Sequence, residues 1–123
     1  MPGVPLIAIV DDDDSLRKSL DNLLRSVGLR TQGFASAEAF LSSQHVHDTA
    51  CLILDVRMPG MSGLELQRQL GAANRRIPII FVTAHADDDA RAQALAAGAV
   101  DFLYKPFHEE ALLNAIETAL KRS

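Results

Sequence analysis

The stretch "PLIAIVDDDDS" (residues 5–15) decides the fold, because it sets an unbroken apolar run directly against four consecutive aspartates. A nearly continuous apolar run is typical of a strand that is covered on both faces of a parallel sheet. Adjacent carboxylates repel one another, and they lose hydration beside a hydrophobic core. The stretch therefore indicates a buried strand that ends at Val10 and delivers carboxylates, either to start the next helix or to bind a cation.

Four more apolar runs follow, and segments with helical period separate them. They lie at 29–34, 51–55, 78–82 and 101–104. Five strands that alternate with five helices, joined by right-handed crossovers, form an open parallel sheet with helices on both faces. We therefore expect an α/β fold in one domain that covers residues 1–123.

Apolar spacing and capping residues predict where the helices lie. The first helix is predicted over 14–27, with an apolar stripe of Leu16, Leu20, Leu23, Leu24 and Val27. Asp14 or Ser15 is its expected N-terminal cap. Ser62 and Glu65 fit a capping box at the start of the third helix. The buried face of the last helix is predicted to be Leu112, Leu113, Ile116 and Leu120.

Composition excludes several classes of function. The formal net charge of −4 predicts no direct affinity for nucleic acid or for anionic lipid. The chain has no apolar run near the roughly 20 residues of a membrane span, so a cytoplasmic location is the expectation. Cys51 is the single cysteine of this chain and begins an apolar run, which favours a buried, unreactive thiol.

The predicted strand ends deliver a set of polar side chains to one edge of the sheet. Asp11 and Asp12 follow the first strand, Asp55 ends the third, Thr83 follows the fourth and Lys105 follows the fifth. Ligands of open α/β sheets bind at this edge. Crowded carboxylates need a cation, and hard oxygen ligands favour Mg²⁺. A lysine and a hydroxyl beside that ion suit the oxygens of a phosphoryl group.

These residues resemble the receiver domain of two-component response regulators. The matching segments are "VDDDDS", "LILDVRMPGMSGLEL", "IIFVTAHA" and "AGAVDFLYKPF", in order and over the whole chain. "RKSL" and "SAEAFL" make the FixJ/NarL subgroup, which has a LuxR-type output domain, the nearest one. The resemblance implies a flavodoxin-like (βα)5 fold, a doubly wound five-stranded parallel sheet with strand order 2-1-3-4-5. A C-terminal helix-turn-helix output domain is expected to be absent from this chain.

The resemblance also implies the roles of the acidic residues. Asp55 is expected to accept a phosphoryl group from a phosphohistidine of a sensor histidine kinase. Asp12, Asp55 and the backbone carbonyl of Arg57 are expected to ligate Mg²⁺, with Mn²⁺ as an alternative ion, and Asp11 to act through a bound water. The domain is expected to be a phospho-acceptor that catalyses only its own phosphorylation and slow autodephosphorylation, rather than an enzyme.

The switching residues come from the same resemblance. Lys105 and Thr83 are expected to bind phosphoryl oxygens, and the Lys105–Pro106 peptide to be cis. Thr83 would move toward the phosphoryl group while Phe102 turns inward. The face formed by the fourth helix, the fifth strand and the fifth helix would then support a phosphorylation-dependent homodimer and a transcriptional output. Arg57 and His85, which flank the site, are expected to tune autodephosphorylation, with a bulky Arg57 making it slow.

Three other functions compete with this interpretation. A phosphatase of the haloacid dehalogenase class carries a second aspartate two residues beyond its nucleophile, where this chain has Arg57. A flavodoxin-like cofactor binder is disfavoured because "DDDDS" would repel the FMN phosphate. A stand-alone receiver that acts by protein–protein interaction, without a DNA-binding domain, is the remaining alternative. His45 and His47 form an H-x-H pattern, but their polar surroundings favour a surface loop over a metal site.

Overall fold

Five strands and five helices alternate along residues 3–122, the part of the chain that this computed structural model describes. Residues 1, 2 and 123 of the predicted 1–123 domain lie outside that part. The elements are β1 Leu6–Val10, α1 Asp14–Ser26, β2 Arg30–Phe34, α2 Ala37–Leu41, β3 Thr49–Leu54, α3 Gly63–Ala72, β4 Ile79–Thr83, α4 Asp88–Ala96, β5 Asp101–Tyr104 and α5 Glu109–Arg122.

The sheet confirms the predicted flavodoxin-like topology. All neighbouring strands are parallel, and their order is β2-β1-β3-β4-β5. The order reverses direction at β1, so helices that follow strands on either side of it cover opposite faces of the sheet. The crevice at the carboxyl ends of β1 and β3 is therefore the place where the fold exposes a binding site.

Alternate strand residues divide the core into two apolar layers. One layer packs the strands against α1 and α5, and it includes Ile7, Ile9, Cys51, Ile53, Ile80 and Val82. The other packs them against α2, α3 and α4, and it includes Val10, Leu52, Leu54, Phe81 and Phe102. Burial raises the pKa of the Cys51 thiol to about 12. A thiol that stays protonated in an apolar core is unreactive, as predicted.

Two details of α1 differ from the sequence prediction. The N-cap is Asp13, not Asp14 or Ser15: its carboxylate accepts hydrogen bonds from the backbone N–H groups of Ser15 and Leu16 at 3.0 and 3.2 Å. Asp14 already lies inside the helix, so it cannot occupy the extended cap position. Val27 is not part of the buried stripe, because the helix ends at Ser26 and leaves Val27 50% exposed.

The buried face of α5 is also rotated from the predicted one. Leu112 and Ile116 are buried as expected, but Ala115 and Ala119 join them, while Leu113 and Leu120 are half-buried. Leu113 and Leu120 pack against this buried cluster without being part of it. The predicted capping box of Ser62 and Glu65 at the start of α3 is confirmed.

Candidate phosphoryl-acceptor site

The crevice at the strand ends brings three carboxylates together. Asp11 and Asp12 follow β1, and Asp55 follows β3, its neighbour in the sheet. The backbone N–H of Asp55 donates to the carbonyl of Val10 at 3.0 Å, which continues the β1–β3 pairing up to the site. One carboxylate oxygen from each aspartate lies within 4.8 Å of the others. Asp11 and Asp55 are buried, whereas Asp12 is exposed.

Lys105 reaches this cluster from the end of β5. Its Nζ donates to Asp11 Oδ2 at 2.9 Å and lies 3.7 Å from Asp55 Oδ2. Its backbone N–H donates to the carbonyl of Thr83 at 2.7 Å, and the peptide bond between Lys105 and Pro106 is cis. The ammonium group therefore lies between two buried carboxylates and offsets part of their charge.

The ammonium group of Lys105 does not fully offset the unfavourable environment of the Asp55 carboxylate. Loss of hydration and the negative charge of Asp11 raise the pKa of Asp55. Lys105 and the backbone N–H groups of Arg57 and Val56 act in the opposite direction but do not cancel the shift. Asp55 Oδ1 is buried and has no hydrogen-bond partner within residues 3–122. A buried carboxylate oxygen without a partner is costly, and a cation bound there would offset that cost.

The donor set fits a hard divalent cation. Asp11, Asp12 and Asp55 offer carboxylate oxygens at close range, and Mg²⁺ prefers such ligands while it keeps several waters. One oxygen of Asp55, Oδ1, has no hydrogen-bond partner within residues 3–122. The exposed Asp12 leaves one side of the cluster open to solvent. The three aspartates that the sequence predicted as metal ligands therefore lie close enough together to hold an ion of this kind.

The two predicted switch residues lie in different environments. Thr83 is the last residue of β4 and only 1% exposed, and its Oγ1 accepts a hydrogen bond from the backbone N–H of His85 at 3.2 Å. Phe102 is 4% exposed, with ring centroids 5.7 Å from Phe81 and 5.4 Å from Tyr104. In this structure the Phe102 ring is packed inside the α4 side of the core. Its movement on phosphorylation stays a prediction.

Arg57 and His85 are both exposed. The Arg57 side chain is 58% exposed, and its Nη2 lies 3.5 Å from Asp87 Oδ2. Asp87 is the N-cap of α4 and accepts a hydrogen bond from the backbone N–H of Ala90. The side chain of Arg57 thus extends toward α4, which the sequence prediction did not anticipate.

Sequence reasoning missed two residues that hold the loop after Asp55. Glu38 of α2 accepts a hydrogen bond from the backbone N–H of Met61 at 3.0 Å. Gly63 begins α3 and donates its N–H to the carbonyl of Val56 at 2.9 Å. Glu38 lies 23 residues before Met61 and could not be paired with it from sequence. The glycine in "SGLE" was the available signal, because glycine at a first helical turn suggests a close backbone contact.

The two histidines of the H-x-H pattern contact different residues. They lie on a short 3-10 turn, Gln44–His47, before β3. His47 Nδ1 lies 2.9 Å from Nη1 of Arg75, while His45 Nδ1 lies 3.6 Å from a carboxylate oxygen of Asp48. Each ring therefore has its own neighbours, and the segment differs from the predicted surface loop in that it forms a 3-10 turn with the Nδ1 atom of His45 buried.

Comparison with known proteins agrees with the fold. Residues 7–117 match the family described as "Response regulator receiver domain". The chain is 53% identical over 116 residues to the response regulator protein TmoT of Ectopseudomonas mendocina, a match that covers 94% of this chain and 53% of TmoT. It is 42% identical over 123 residues to the transcriptional regulatory protein FixJ of Azorhizobium caulinodans, covering 100% of this chain and 58% of FixJ.

A solved structure of FixJ-N superimposes with a TM-score of 0.88 at 41% identity, covering 100% of this chain and 98% of that one. The chain belongs to the receiver domains of two-component response regulators, and its relatives include FixJ, as the sequence resemblance predicted. It spans about half the length of the curated relatives it matches. Within residues 3–122, no helix combines the length and apolar character that crossing a membrane requires.

Proposed function

We propose that Asp55 is the residue that accepts the phosphoryl group, and that a phosphohistidine of a sensor histidine kinase donates it. The observation that supports this assignment is the position of Asp55 at the end of β3, buried between Asp11 and Lys105. A carboxylate that has lost part of its hydration beside another negative charge is a better nucleophile than a fully solvated one. The Nζ atom of Lys105 lies 3.7 Å from Asp55 Oδ2. From there Lys105 would bind an oxygen of the incoming phosphoryl group.

A magnesium ion is part of this proposal. Asp12, Asp55 and the backbone carbonyl of Arg57 would ligate it, with Asp11 acting through a water, and Mn²⁺ could replace it. When bound, the ion supplies positive charge beside the carboxylates and the phosphoryl oxygens. The unpartnered Asp55 Oδ1 supports this assignment.

Individual residues of the chain then have separate roles in phosphoryl transfer. An Asp55 carboxylate oxygen attacks phosphorus, the P–N bond to the donor imidazole breaks, and the imidazole nitrogen keeps the electron pair and binds a proton. Lys105 and the Thr83 hydroxyl bind oxygens of the transferred group and hold it in line. Later attack by water on phosphorus returns the Asp55 carboxylate and releases inorganic phosphate. An arginine at position 57 shields the aspartyl phosphate, so we propose that this hydrolysis is slow and that His85 also affects it.

The output of the domain is a shift between two conformations. Thr83 and Phe102 are the proposed switch residues, and the face formed by α4, β5 and α5 is the proposed site of phosphorylation-dependent homodimerisation. The shift is limited to the difference in free energy with which the phosphoryl group interacts with the two states. FixJ is named as a transcriptional regulatory protein. We therefore propose residues 1–123 as one receiver domain with a transcriptional output, in preference to a stand-alone receiver.

Phosphorylation by a small phosphodonor tests this function directly. The protein is incubated with acetyl phosphate and Mg²⁺, and its intact mass is measured. We expect one added phosphoryl group, which is absent from Asp55→Asn and from protein treated with a chelator. Asp48→Asn is the matched control, because Asp48 is an exposed aspartate remote from the crevice, before β3. Unchanged labelling in Asp55→Asn would contradict the assignment of the acceptor.

A further inference from the structure

Asp87 makes two contacts that point in different directions. Its Oδ1 accepts a hydrogen bond from the backbone N–H of Ala90 at 3.0 Å, which caps α4. Its Oδ2 lies 3.5 Å from Nη2 of Arg57. Arg57 belongs to the loop that follows Asp55, so one carboxylate joins that loop to the start of α4.

We propose that Arg57 is shared between Asp87 and the phosphoryl group on Asp55, so that phosphorylation draws the guanidinium away from the N-cap of α4. This inference rests on the proposed phosphorylation of Asp55 and adds a regulatory role for Asp87. Asp87 would be a positioning residue, because it acts on the phosphoryl group only through Arg57.

The charges favour such an exchange. A phosphoryl group carries about −1.5 to −2 charges and accepts paired hydrogen bonds from a guanidinium, whereas Asp87 carries a single charge. Arg57 is two residues beyond the acceptor, and Lys105 is already engaged by Asp11 and Asp55. A second cation for the added negative charge is therefore available from Arg57.

The existing ion pair is also easy to exchange. The side chains of Arg57 and Asp87 are 58% and 33% exposed, and their separation of 3.5 Å is long for a charge-assisted contact. Exposed pairs of this kind contribute little to stability. The Arg57–Asp87 ion pair can therefore break when Asp55 is phosphorylated, and it does not hold the loop after Asp55 in one position.

The two groups would also be coupled in both directions. If the phosphoryl group weakens the Arg57–Asp87 pair, then formation of the pair weakens phosphoryl binding by the same factor, because coupling free energies are reciprocal. Loss of the Asp87 charge removes the pair and should therefore strengthen phosphoryl binding. The loss of the Arg57 guanidinium from Asp87 would act on the start of α4. Its first turn carries Asp88 and Asp89 as well as the cap, so release of the guanidinium leaves three adjacent carboxylates without that cation.

Beryllofluoride, a non-covalent mimic of the phosphoryl group, allows an equilibrium test in the presence of Mg²⁺. Asp87→Asn is the informative variant, because asparagine caps a helix as well as aspartate but carries no charge. Asp88→Asn is the matched control, since it removes one charge from the next residue of the same turn. We expect Asp87→Asn to bind beryllofluoride about fivefold more tightly than the wild type in a calorimetric titration, with Asp88→Asn near the wild-type value.

A second substitution shows whether the effect passes through Arg57. Arg57→Gln keeps the backbone carbonyl and removes the charge, so it should weaken beryllofluoride binding. Asp87→Asn should then have no further effect in the Arg57→Gln background. Equal affinities for Asp87→Asn and Asp88→Asn, or an Asp87→Asn effect that persists without Arg57, would overturn the inference. Failure of the wild type to take up either beryllofluoride or a phosphoryl group would instead count against the proposed function, and the inference would fall with it.

Discussion

Gly63 lies so close to Asp55 that a Cβ atom on Gly63 would be 2.1 Å from the Asp55 carbonyl oxygen. The same atom would lie 3.0 Å from the carbonyl carbon of Asp55 and 3.1 Å from Cα of Val56. These are backbone atoms, which cannot turn away as the end of a flexible side chain can. The start of α3 therefore depends on a glycine to approach the residue that the site is built around.

Gly63→Ala should both destabilise the fold and displace Asp55. The added methyl group must push α3 away from the loop after β3, and overpacking of this kind costs about 1–3 kcal/mol. We expect the free energy of unfolding in urea to fall by about that amount, and phosphorylation by acetyl phosphate to slow. Direct comparison with the wild type at one temperature gives both values.

Gly71→Ala is the matched control for that substitution. Gly71 lies in the same helix, and a Cβ atom there would meet nothing within 4 Å. Alanine favours helix over glycine by about 0.5–1 kcal/mol, so this variant should be slightly more stable than the wild type. Similar losses in both variants would mean that the Asp55 contact is not the reason for Gly63.

Apolar patterning predicted the sheet because β1, β3 and β4 are nearly continuous runs of buried apolar residues. The runs that end at Val10 and Asp55 also placed the acidic site, since the carboxyl ends of parallel strands meet at one edge of the sheet. The cap of α1 was misplaced by one or two residues. Four identical aspartates offer no local signal to distinguish Asp13 from Asp14, and backbone geometry decides between them.

Contacts between distant segments were beyond the reach of sequence reasoning. Arg57 and Asp87 are 30 residues apart, and the local pattern around each residue gives no sign of the other. Lys105 was predicted to bind a phosphoryl oxygen, and the structure adds that its nearest carboxylate is Asp11 rather than Asp55. Distances of this kind follow from tertiary packing, which a linear pattern does not encode.

Because the pKa of Asp55 is raised, removal of its negative charge should increase the stability of the fold, and the increase should depend on pH. Because the folded-state pKa lies above the unfolded one, folded protein binds more protons between the two values, and stability is lost as the pH rises through the folded pKa. Metal-free Asp55→Asn should thus be more stable than the wild type at neutral pH. The difference should close as the pH falls below about 4, where the unfolded carboxyl group is also protonated.

Asp21→Asn provides a comparison of opposite sign. The Thr31 hydroxyl group and Arg25 hold the pKa of Asp21 below its ordinary value, so ionised Asp21 stabilises the fold above the unfolded pKa. This variant should be less stable than the wild type at neutral pH, with the loss disappearing as the pH falls through the folded pKa. Thermal unfolding across a pH series in chelator measures both variants. Equal responses would show that the environment of Asp55 is unexceptional.

Removal of Lys105 should make the fold depend more strongly on a divalent cation. Lys105→Met leaves Asp11 and Asp55 without their nearest positive charge, and loss of one partner from a largely buried ion pair costs about 2 kcal/mol here after allowance for its partial exposure. Mg²⁺ stabilises the folded state by binding to it, and the more negative site should bind it more tightly. We expect Mg²⁺ to raise the Tm of Lys105→Met more than that of the wild type.

Lys18→Met controls for the general loss of a positive charge. Lys18 is exposed on α1, so its removal should leave both the Tm and the response to Mg²⁺ close to those of the wild type. If Lys105→Met and Lys18→Met respond alike to Mg²⁺, the ammonium group does not compete with the cation for the carboxylates.

Tyr104→Phe should stabilise the protein even though it removes a polar group. The Tyr104 hydroxyl is buried and has no hydrogen-bond partner within residues 3–122, while its ring packs against Phe102 with centroids 5.4 Å apart. Phenylalanine keeps the ring and avoids the loss of hydration of an unpaired hydroxyl, which should add about 1 kcal/mol to the free energy of unfolding. Phe102→Ala removes the neighbouring ring and should cost about 3–5 kcal/mol. Urea unfolding measures both variants, and a clear loss of stability in Tyr104→Phe would show that the hydroxyl forms a hydrogen bond in solution.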